Sequence, residues 1–381
     1  MSVAFREIAE NEAQGLVHVW SVVYNRGEAF TDEAGLFKGR LAFIGEDDGR
    51  PVAGYTVVPM RTTRGAGVVP CAGIAGVGVL PEARHGQVGT AMMKWSLRDL
   101  RERGFELAAL YAFSDQFYRR VGYEVAGRRF QIQCPAQRLP RLTPSLPIRQ
   151  IAPTDAHLLD GCYQAFAKAH SGLNLRTKEQ WTERFGQRPP MIYAAGDPVE
   201  AYAWVSMEGG FWDDLRVGEF VWSSRRGYES ILATLTGLCI NRSNLIWYEP
   251  SDSPFLCRFM DQGIKVSLER HAMFRVLEVP RALSRLFSEG SGEFSFRVED
   301  ADLPENVGPW RVRYGADGVE VQPCSEPELV FTSQTFAQAF MGEPSLETLL
   351  HNGNVTSTSD RAALDACRLM TPRATVCMDF F

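Results

Sequence analysis

The sequence predicts an α/β protein that ends in a smaller α+β unit, and three observations carry that prediction. Apolar, strand-like runs alternate with helix-like periodicity over residues 1 to 135. The same order begins again after a proline-rich stretch, and residues 281 to 381 change to short alternating segments followed by helices. At 381 residues the chain is longer than one hydrophobic core commonly supports, so two or three domains are expected.

Taken in order, Leu16 to Tyr24 has helical spacing, and Arg40 to Ile44 and Pro51 to Met60 read as strands about the turn at residues 46–50. An apolar strand from Gly73 to Leu80 runs into Pro81. It is followed by a helical pattern from Val88 to Arg103 with Met92, Met93, Trp95, Leu97 and Leu100 apolar, stopped by Gly104. Next come a strand from Leu107 to Ala112, a short helix from Gln116 to Val121, and a closing strand from Tyr123 to Cys134. This reading gives an N-terminal domain of residues 1–135.

Four prolines in thirteen residues, Pro135 to Pro147, exclude a regular core element, so residues 136–147 read as a linker. Residues 148–280 then make a second, diverged α/β domain, with Ile148 to Thr154 restarting the pattern and strands at Met191 to Met207, Val217 to Val221 and Leu245 to Glu249. Residues 281–381 form the small α+β domain, with strands at Glu293 to Val298, Trp310 to Tyr314 and Val319 to Gln322. Helices follow at Gln334 to Phe340, Leu346 to Leu350 and Arg361 to Cys367.

Composition narrows the function classes. With 45% apolar and 23% charged residues, and no apolar run near the ~20 residues that span a bilayer, no membrane role is expected. The N-terminus turns acidic at once and does not read as a signal peptide, which implies a cytoplasmic protein. The eight cysteines stand singly in mostly apolar surroundings and read as buried reduced thiols, and the six histidines form no metal-ligand spacing, so no metal is expected. A formal charge of −6 argues against nucleic acid and is compatible with cationic substrates.

The most informative segment runs from Val77 to Met93. A strand ending at Pro81 delivers a glycine-containing loop onto a helix start, where unpaired N–H groups and the helix dipole make an anion site suited to pyrophosphate. Arg84 adds a fixed charge, and Gly89 and Thr90 offer close backbone approach and a hydroxyl. Small residues at a strand–turn–helix also serve packing alone. Downstream, Phe117 to Tyr123 places Tyr118 on a short helix near the end of a strand. A phenol of pKa about 10 can protonate a departing thiolate of pKa about 8.5, so Tyr118 is the candidate general acid of acyl transfer from a thioester. An aromatic with its ring in the core and its hydroxyl at the surface would look the same.

Pro81-Glu-Ala-Arg84 through Gly89 resembles the Arg-x-x-Gly-x-Gly/Ala loop of GNAT N-acetyltransferases, and Phe117-Tyr118 through Gly122-Tyr123 resembles their Phe-Tyr-x-x-x-Gly-Phe/Tyr segment. The three-part layout, the joint from Phe274 to Pro280 and the final Asp-Phe-Phe381 resemble the enhanced intracellular survival family of aminoglycoside and amine acetyltransferases. That resemblance covers essentially the whole chain. It implies two tandem GNAT-like domains, of which the first binds acetyl-CoA, and a sterol-carrier-like C-terminal domain. It further implies homo-oligomers, trimers or hexamers, with a small-molecule amine as partner.

Carried over by position, the resemblance puts the strand beside the thioester at Val77, Gly78 and Val79. The phosphate loop falls on Arg84, His85, Gly86, Gln87, Val88, Gly89 and Thr90, the general acid on Tyr118, and the general base on the carboxylate of Phe381. The first glycine of the family's loop is Gln87 here, with Gly86 one place earlier. Glu28, Asp32 and Glu33 fall where such proteins build the acceptor wall. The resulting expectation is direct acetyl transfer from acetyl-CoA to a primary amine. The alternative is a non-catalytic small-molecule binding protein with a degenerate acetyl-CoA site.

Overall fold

The computed structural model describes residues 3–28, 37–184, 191–206, 209–269 and 271–379. The first part contains strands β1 (Val3–Ile8), β2 (Leu41–Asp47), β3 (Arg50–Arg64), β4 (Gly67–Val79), β5 (Leu107–Leu110) and β6 (Glu124–Val125). Helices α1 (Ala13–Tyr24), α2 (Val88–Glu102) and α3 (Asp115–Arg119) are threaded between them. Then follow β7 (Arg129–Pro135), β8 (Ile148–Ile151), α4 (Asp160–Ala169), β9 (Ser171–Asn174), α5 (Lys178–Arg184), β10 (Met191–Ala195), β11 (Ala201–Ser206) and β12 (Leu215–Trp222). The second part closes with α6 (Arg225–Leu238), β13 (Asn244–Pro250), α7 (Pro254–Arg258), β14 (Lys265–Glu269) and β15 (Met273–Val276). The last part runs α8 (Val279–Leu283), β16 (Gly292–Glu299), β17 (Trp310–Gly315), β18 (Gly318–Pro323), β19 (Leu329–Thr332), α9 (Ser333–Met341), α10 (Leu346–His351), β20 (Thr356–Ser357) and α11 (Asp360–Leu369). Among the described residues no helix is long and apolar enough to cross a membrane.

Three mixed sheets result, in the orders β1-β2-β3-β4-β5-β15-β6, β14-β7-β13-β12-β11-β10-β8 and β18-β17-β16-β19-β20, with β9 paired to the far end of β3, beyond the stretch that β2 covers. This is the tandem α/β architecture with a terminal α+β domain that the sequence predicts.

Two features correct the reading along the chain. The expected closing strand from Tyr123 to Cys134 is split: β6 stays in the first sheet, while β7 pairs with β13 and β14 in the second. In return β15, from the joint after the second part, enters the first sheet between β5 and β6. The two sheets thus exchange a strand. Local pattern specifies that a segment is a strand, whereas its partner is a long-range choice. The proline-rich stretch also differs from a free linker. Leu139 is buried against the second sheet, and the Ser145 N–H donates to Ser230 Oγ on α6 at 3.1 Å.

Alternation on β5 shows why its run is wholly apolar. Ala108 and Leu110 face α2, packing with Met92, Met93 and Leu97, while Leu107 and Ala109 face the third part beside Phe294, Phe296 and Phe336. A strand covered on both faces leaves no position for a polar side chain. Each large apolar side chain buried this way contributes roughly 1.5–3 kcal/mol. Of the eight cysteines, five are buried as expected; Cys257 is exposed and Cys324 and Cys367 are partly so.

Candidate active site

β3 and β4 form a long antiparallel pair whose register shifts where Gly54 faces Gly78 and Thr56 faces Ala75. Two residues of β4, Gly76 and Val77, therefore stand opposite Tyr55 alone, and Gly76 takes φ +60, which its missing side chain allows. A Cβ there would overlap the Trp20 ring. Helix α1 grips this bulge: Trp20 Nε1 donates to the Gly76 carbonyl and the Tyr24 hydroxyl to the Val77 carbonyl, both at 2.6 Å. On its other side β4 pairs with β5 in parallel only as far as Ile74 opposite Leu110. Past that point the two strands part, and a cleft of about 570 Å³ opens beside Val77 and Val79.

The loop beyond β4 is a 3-10 turn over Pro81–Gly86, and Gln87 follows in the left-handed conformation at φ +56. Gln87 thus adopts a backbone shape that glycine takes without strain, at a cost on the order of 1 kcal/mol. It turns the chain into α2, whose first helical bond is Ala91 N–H to the Gln87 carbonyl at 3.0 Å. No side chain caps this end and its first turn carries no acidic residue, so the amides of Val88, Gly89 and Thr90 are offered to an anion. Arg84 joins them, its Nε donating to the Val79 carbonyl at 3.1 Å. A Cβ on Gly89 would come within 3.3 Å of the Phe117 ring, so the bare backbone keeps the wall in place.

Of the residues expected from sequence, Val77, Val79, Arg84, Gln87, Gly89 and Thr90 line this cleft together. Gly78 instead faces α1, 3.2 Å from Val19 by its notional Cβ, and the Val88 side chain points into the core. His85 and Gly86 are exposed on the outer turn and are not among the lining residues. Tyr118 lies beneath the wall rather than on it. Its ring is buried and meets Phe117 edge-on at 4.9 Å and Phe113 at 5.5 Å. Burial, with the nearby Tyr24 phenol adding to it, pushes its hydroxyl well above the usual tyrosine range, so it is fully protonated at neutral pH.

Phe381, Asp32 and Glu33 lie outside the described residues. Glu28 is exposed, its carbonyl accepting from Asn25 Nδ2 at 2.9 Å, and it lines neither this cleft nor the cavity described next. The cleft also holds residues that the sequence reading missed: Val23, Tyr24, Phe113, Phe117 and Arg120. Phe113 lines the cleft while 67% exposed. The aromatic pairs Trp20–Tyr24 and Phe113–Phe117, each spaced i to i+4, were the available signal.

A second cavity, of about 500 Å³, lies between the first two parts, against Val58, Pro59 and Met60 of β3 and Glu179, Glu183 and Arg184 of α5. Lys38 crosses its rim to Glu183 at 3.1 Å, and Asp379 reaches it from the end of the third part. Val58 pairs with Gly73, four residues before Val77, so the two cavities are offset by about 14 Å along β4. Tyr111, one residue past the last β4–β5 pair, lines neither cavity but is tied to the end of the chain. Its hydroxyl donates to the carbonyls of Cys377 and Asp379 at 3.4 and 3.3 Å.

Comparison with known proteins agrees with this geometry. Residues 4–126 match the acetyltransferase (GNAT) domain, and residues 279–378 match the sterol carrier protein domain. An uncharacterized N-acetyltransferase of Streptomyces coelicolor is 26% identical over 306 residues, covering 73% of each chain. In fold, the chain resembles a GCN5-related N-acetyltransferase from Anabaena variabilis over the full length of both, with 20% identity and a TM-score of 0.88. It also resembles Eis1 from Mycobacterium abscessus over the full length of both, with 20% identity and a TM-score of 0.80. The wedge between β4 and β5, the uncapped start of α2 and these matches make the chain an acetyltransferase with a GNAT domain over residues 4–126 and a sterol carrier domain over residues 279–378.

Proposed function

We propose that the protein moves an acetyl group from acetyl-CoA to a primary amine of a small, polycationic acceptor by direct attack in a ternary complex. The observation that carries this reading is the freed edge of β4, with the uncapped start of α2 at one end of its cleft, while the second cavity lies against β3 where Val58 pairs with Gly73 of β4. The donor set fits the cofactor, since three amides and one guanidinium converge where a pyrophosphate would sit, beside an aromatic wall for its apolar arm. When bound, acetyl-CoA supplies an acyl carbon activated by a thiol leaving group.

The chain's own residues supply orientation and protons. Trp20 and Tyr24 hold the Gly76 and Val77 carbonyls and so fix the backbone of β4 beside the cleft. Tyr118 is the proton donor to sulfur in this reading, as the family resemblance implies, standing directly behind Phe113 and Phe117 of the cleft wall. The second cavity takes the amine between carboxylates of α5. Glu179 there is held ionised below the usual carboxylate range by its own backbone N–H and by Thr177. The Phe381 carboxylate is the base in this reading, as the family resemblance implies; its support is that the preceding tail is tethered to Tyr111 beside the wedge. A cytoplasmic homo-oligomer, trimer or hexamer, belongs to the same reading and rests on the resemblance alone.

The test is titration of the protein with acetyl-CoA by calorimetry, followed by a thiol-release assay over polyamines and aminoglycosides. Micromolar binding with amine-dependent thiol release is expected. No heat at millimolar cofactor would replace this reading with that of a non-catalytic binding protein.

A further inference from the structure

The last described segment, Ala374–Asp379, is neither helix nor regular strand, yet each of its residues is held. The Ala374 carbonyl accepts from Ser171 N–H at 3.0 Å, Thr375 N–H donates to the Glu343 carboxylate at 2.9 Å, and Val376 N–H donates to the Ser171 carbonyl at 2.8 Å. Cys377 N–H donates to His271 Nε2 at 3.0 Å, and the Met378 carbonyl accepts from Arg184 Nη2 at 2.9 Å. The Asp379 carboxylate takes three bonds: from Arg176 Nε at 2.8 Å, Arg184 Nη1 at 3.1 Å and the Tyr163 hydroxyl at 3.3 Å.

The other end of this cluster is Glu219, in the middle of β12. It accepts a two-pronged bond from Arg176 at 2.9 and 2.7 Å, a bond from the Tyr202 hydroxyl at 2.6 Å and a further bond from Arg184. Two guanidiniums thus face two carboxylates, and the Arg176 and Glu219 side chains are each 1% exposed. Arg176 is also sandwiched by Tyr163 and Trp181, at 4.1 and 4.6 Å from the ring centres. Planar stacking with bidentate bonds fixes a guanidinium in one orientation, which a single flexible ion pair would not.

The place of the cluster in the fold matters as much. β12 and β13 pair in parallel only at Leu215–Arg216 with Leu245–Ile246 and then diverge, repeating in the second sheet the wedge between β4 and β5. In the first sheet the wedge leads to the cofactor cleft. In the second, the chain's own tail crosses it: Val376 and Met378 share a small void with Glu219, Phe220 and Tyr248. The tail leaves that wedge toward Tyr111, the residue that follows β5 in the first sheet.

We propose that Glu219, Arg176 and Arg184 are a clamp, supplied by the second domain, whose task is to hold Asp379 in the wall of the amine cavity. They are positioning residues for acetyl transfer, so the second domain serves catalysis without a cofactor of its own. This inference rests on the acetyl-transfer reading above. Arg184 and Asp379 themselves line the cavity, so releasing the clamp reshapes the place where the amine binds.

Asp379→Asn is the first test, measured on the full-length protein with the most active amine of the panel. Loss of the charge-assisted bonds should lower kcat/KM for the amine by roughly 10- to 100-fold, while KM for acetyl-CoA moves by less than about threefold. Arg184→Lys, which keeps the charge and loses the fork, should fall between that variant and wild type, and it serves if Asp379→Asn does not fold. A folded variant with a lowered melting temperature but amine kcat/KM within about threefold of wild type would leave the cluster a structural element and overturn the clamp. Failure of the underlying reading is visible separately, as a wild-type protein that binds no acetyl-CoA. In that event spermine titrated into wild type and Asp379→Asn decides, and equal affinity overturns the clamp.

Discussion

The Tyr24 hydroxyl donates a 2.6 Å hydrogen bond to the Val77 carbonyl, tying the end of α1 to the bulge that opens the cleft. Tyr24→Phe removes that tie and leaves a main-chain acceptor facing the cleft. A net loss of ~1 kcal/mol is expected, read as an acetyl-CoA Kd raised about fivefold by calorimetry with the melting temperature unchanged within about 2 °C. An unaltered Kd would make the bond incidental to cofactor binding.

Tyr118→Phe is the companion experiment. Loss of the proton donor should lower kcat by about 10²-fold with acetyl-CoA affinity preserved, measured by thiol release and calorimetry on one preparation. Should Tyr118→Phe retain full kcat while Tyr24→Phe loses it, the acid is the phenol on the cleft wall.

Gln87→Gly tests whether the side chain in the phosphate loop obstructs the site. Relief of left-handed strain and the greater freedom of glycine in the unfolded chain are each about 1 kcal/mol and opposite in sign, so urea midpoints should coincide within error. Acetyl-CoA affinity is expected to stay within about threefold, because Gln87 already holds the backbone in the glycine-like shape. Tightening beyond tenfold would show that the side chain stands in the way.

The tail carries a pH signature. Burial, with Arg129 beside it, lowers the His271 imidazole to about 4 from 6.5, and its Nε2 accepts from Cys377 N–H. The unfolded state binds the proton first, so this contribution is complete above pH 6.5 and is lost as pH falls toward 4. It amounts to about 3 kcal/mol in all. Burial pushes Glu219 up, but Arg176 and Arg184 outweigh it and hold the group at about 2, so its share is lost at lower pH, from 4.5 downward. His271→Gln, which still offers an acceptor, should flatten the urea-denaturation profile between pH 6.5 and 4.5 and leave the acid limb. A wild-type slope in the variant would rule this out.

Arg275 on β15 meets Asp300 of the third part through both carboxylate oxygens at 2.7 Å, each side chain 2% exposed. Asp300→Asn strands a buried guanidinium and should cost about 3–5 kcal/mol by urea denaturation. A loss under 1 kcal/mol would mean that water relieves the charge.

Much of the cofactor cleft was legible because its residues are contiguous: a strand, a turn and a helix start between Val77 and Thr90 carry their own chemistry. Its far walls were not. Tyr24 and Phe113 take meaning only once α1 and α3 are folded against β4, and at the level of pattern an exposed Phe113 is indistinguishable from a buried one. The exchange of β7 for β15 was hidden for another reason. Both segments show sound strand patterning, and nothing local in Arg129–Pro135 or Met273–Val276 states which sheet each will join. The left-handed Gln87 was invisible too, since its residue type argues against the shape it adopts.

The exchanged strands also set a timetable. β5 is synthesised early, but the neighbour it needs, Met273–Val276, emerges some 160 residues later, after the whole second sheet has left the ribosome. Until then the apolar edge of Leu107–Leu110 has no partner, and a nascent chain halted anywhere before residue 276 carries the phosphate loop without the finished sheet behind it. The finished first sheet is therefore something this polypeptide acquires only once residue 276 has emerged, and cutting within residues 136–147 yields two incomplete sheets, each missing a strand held by the other.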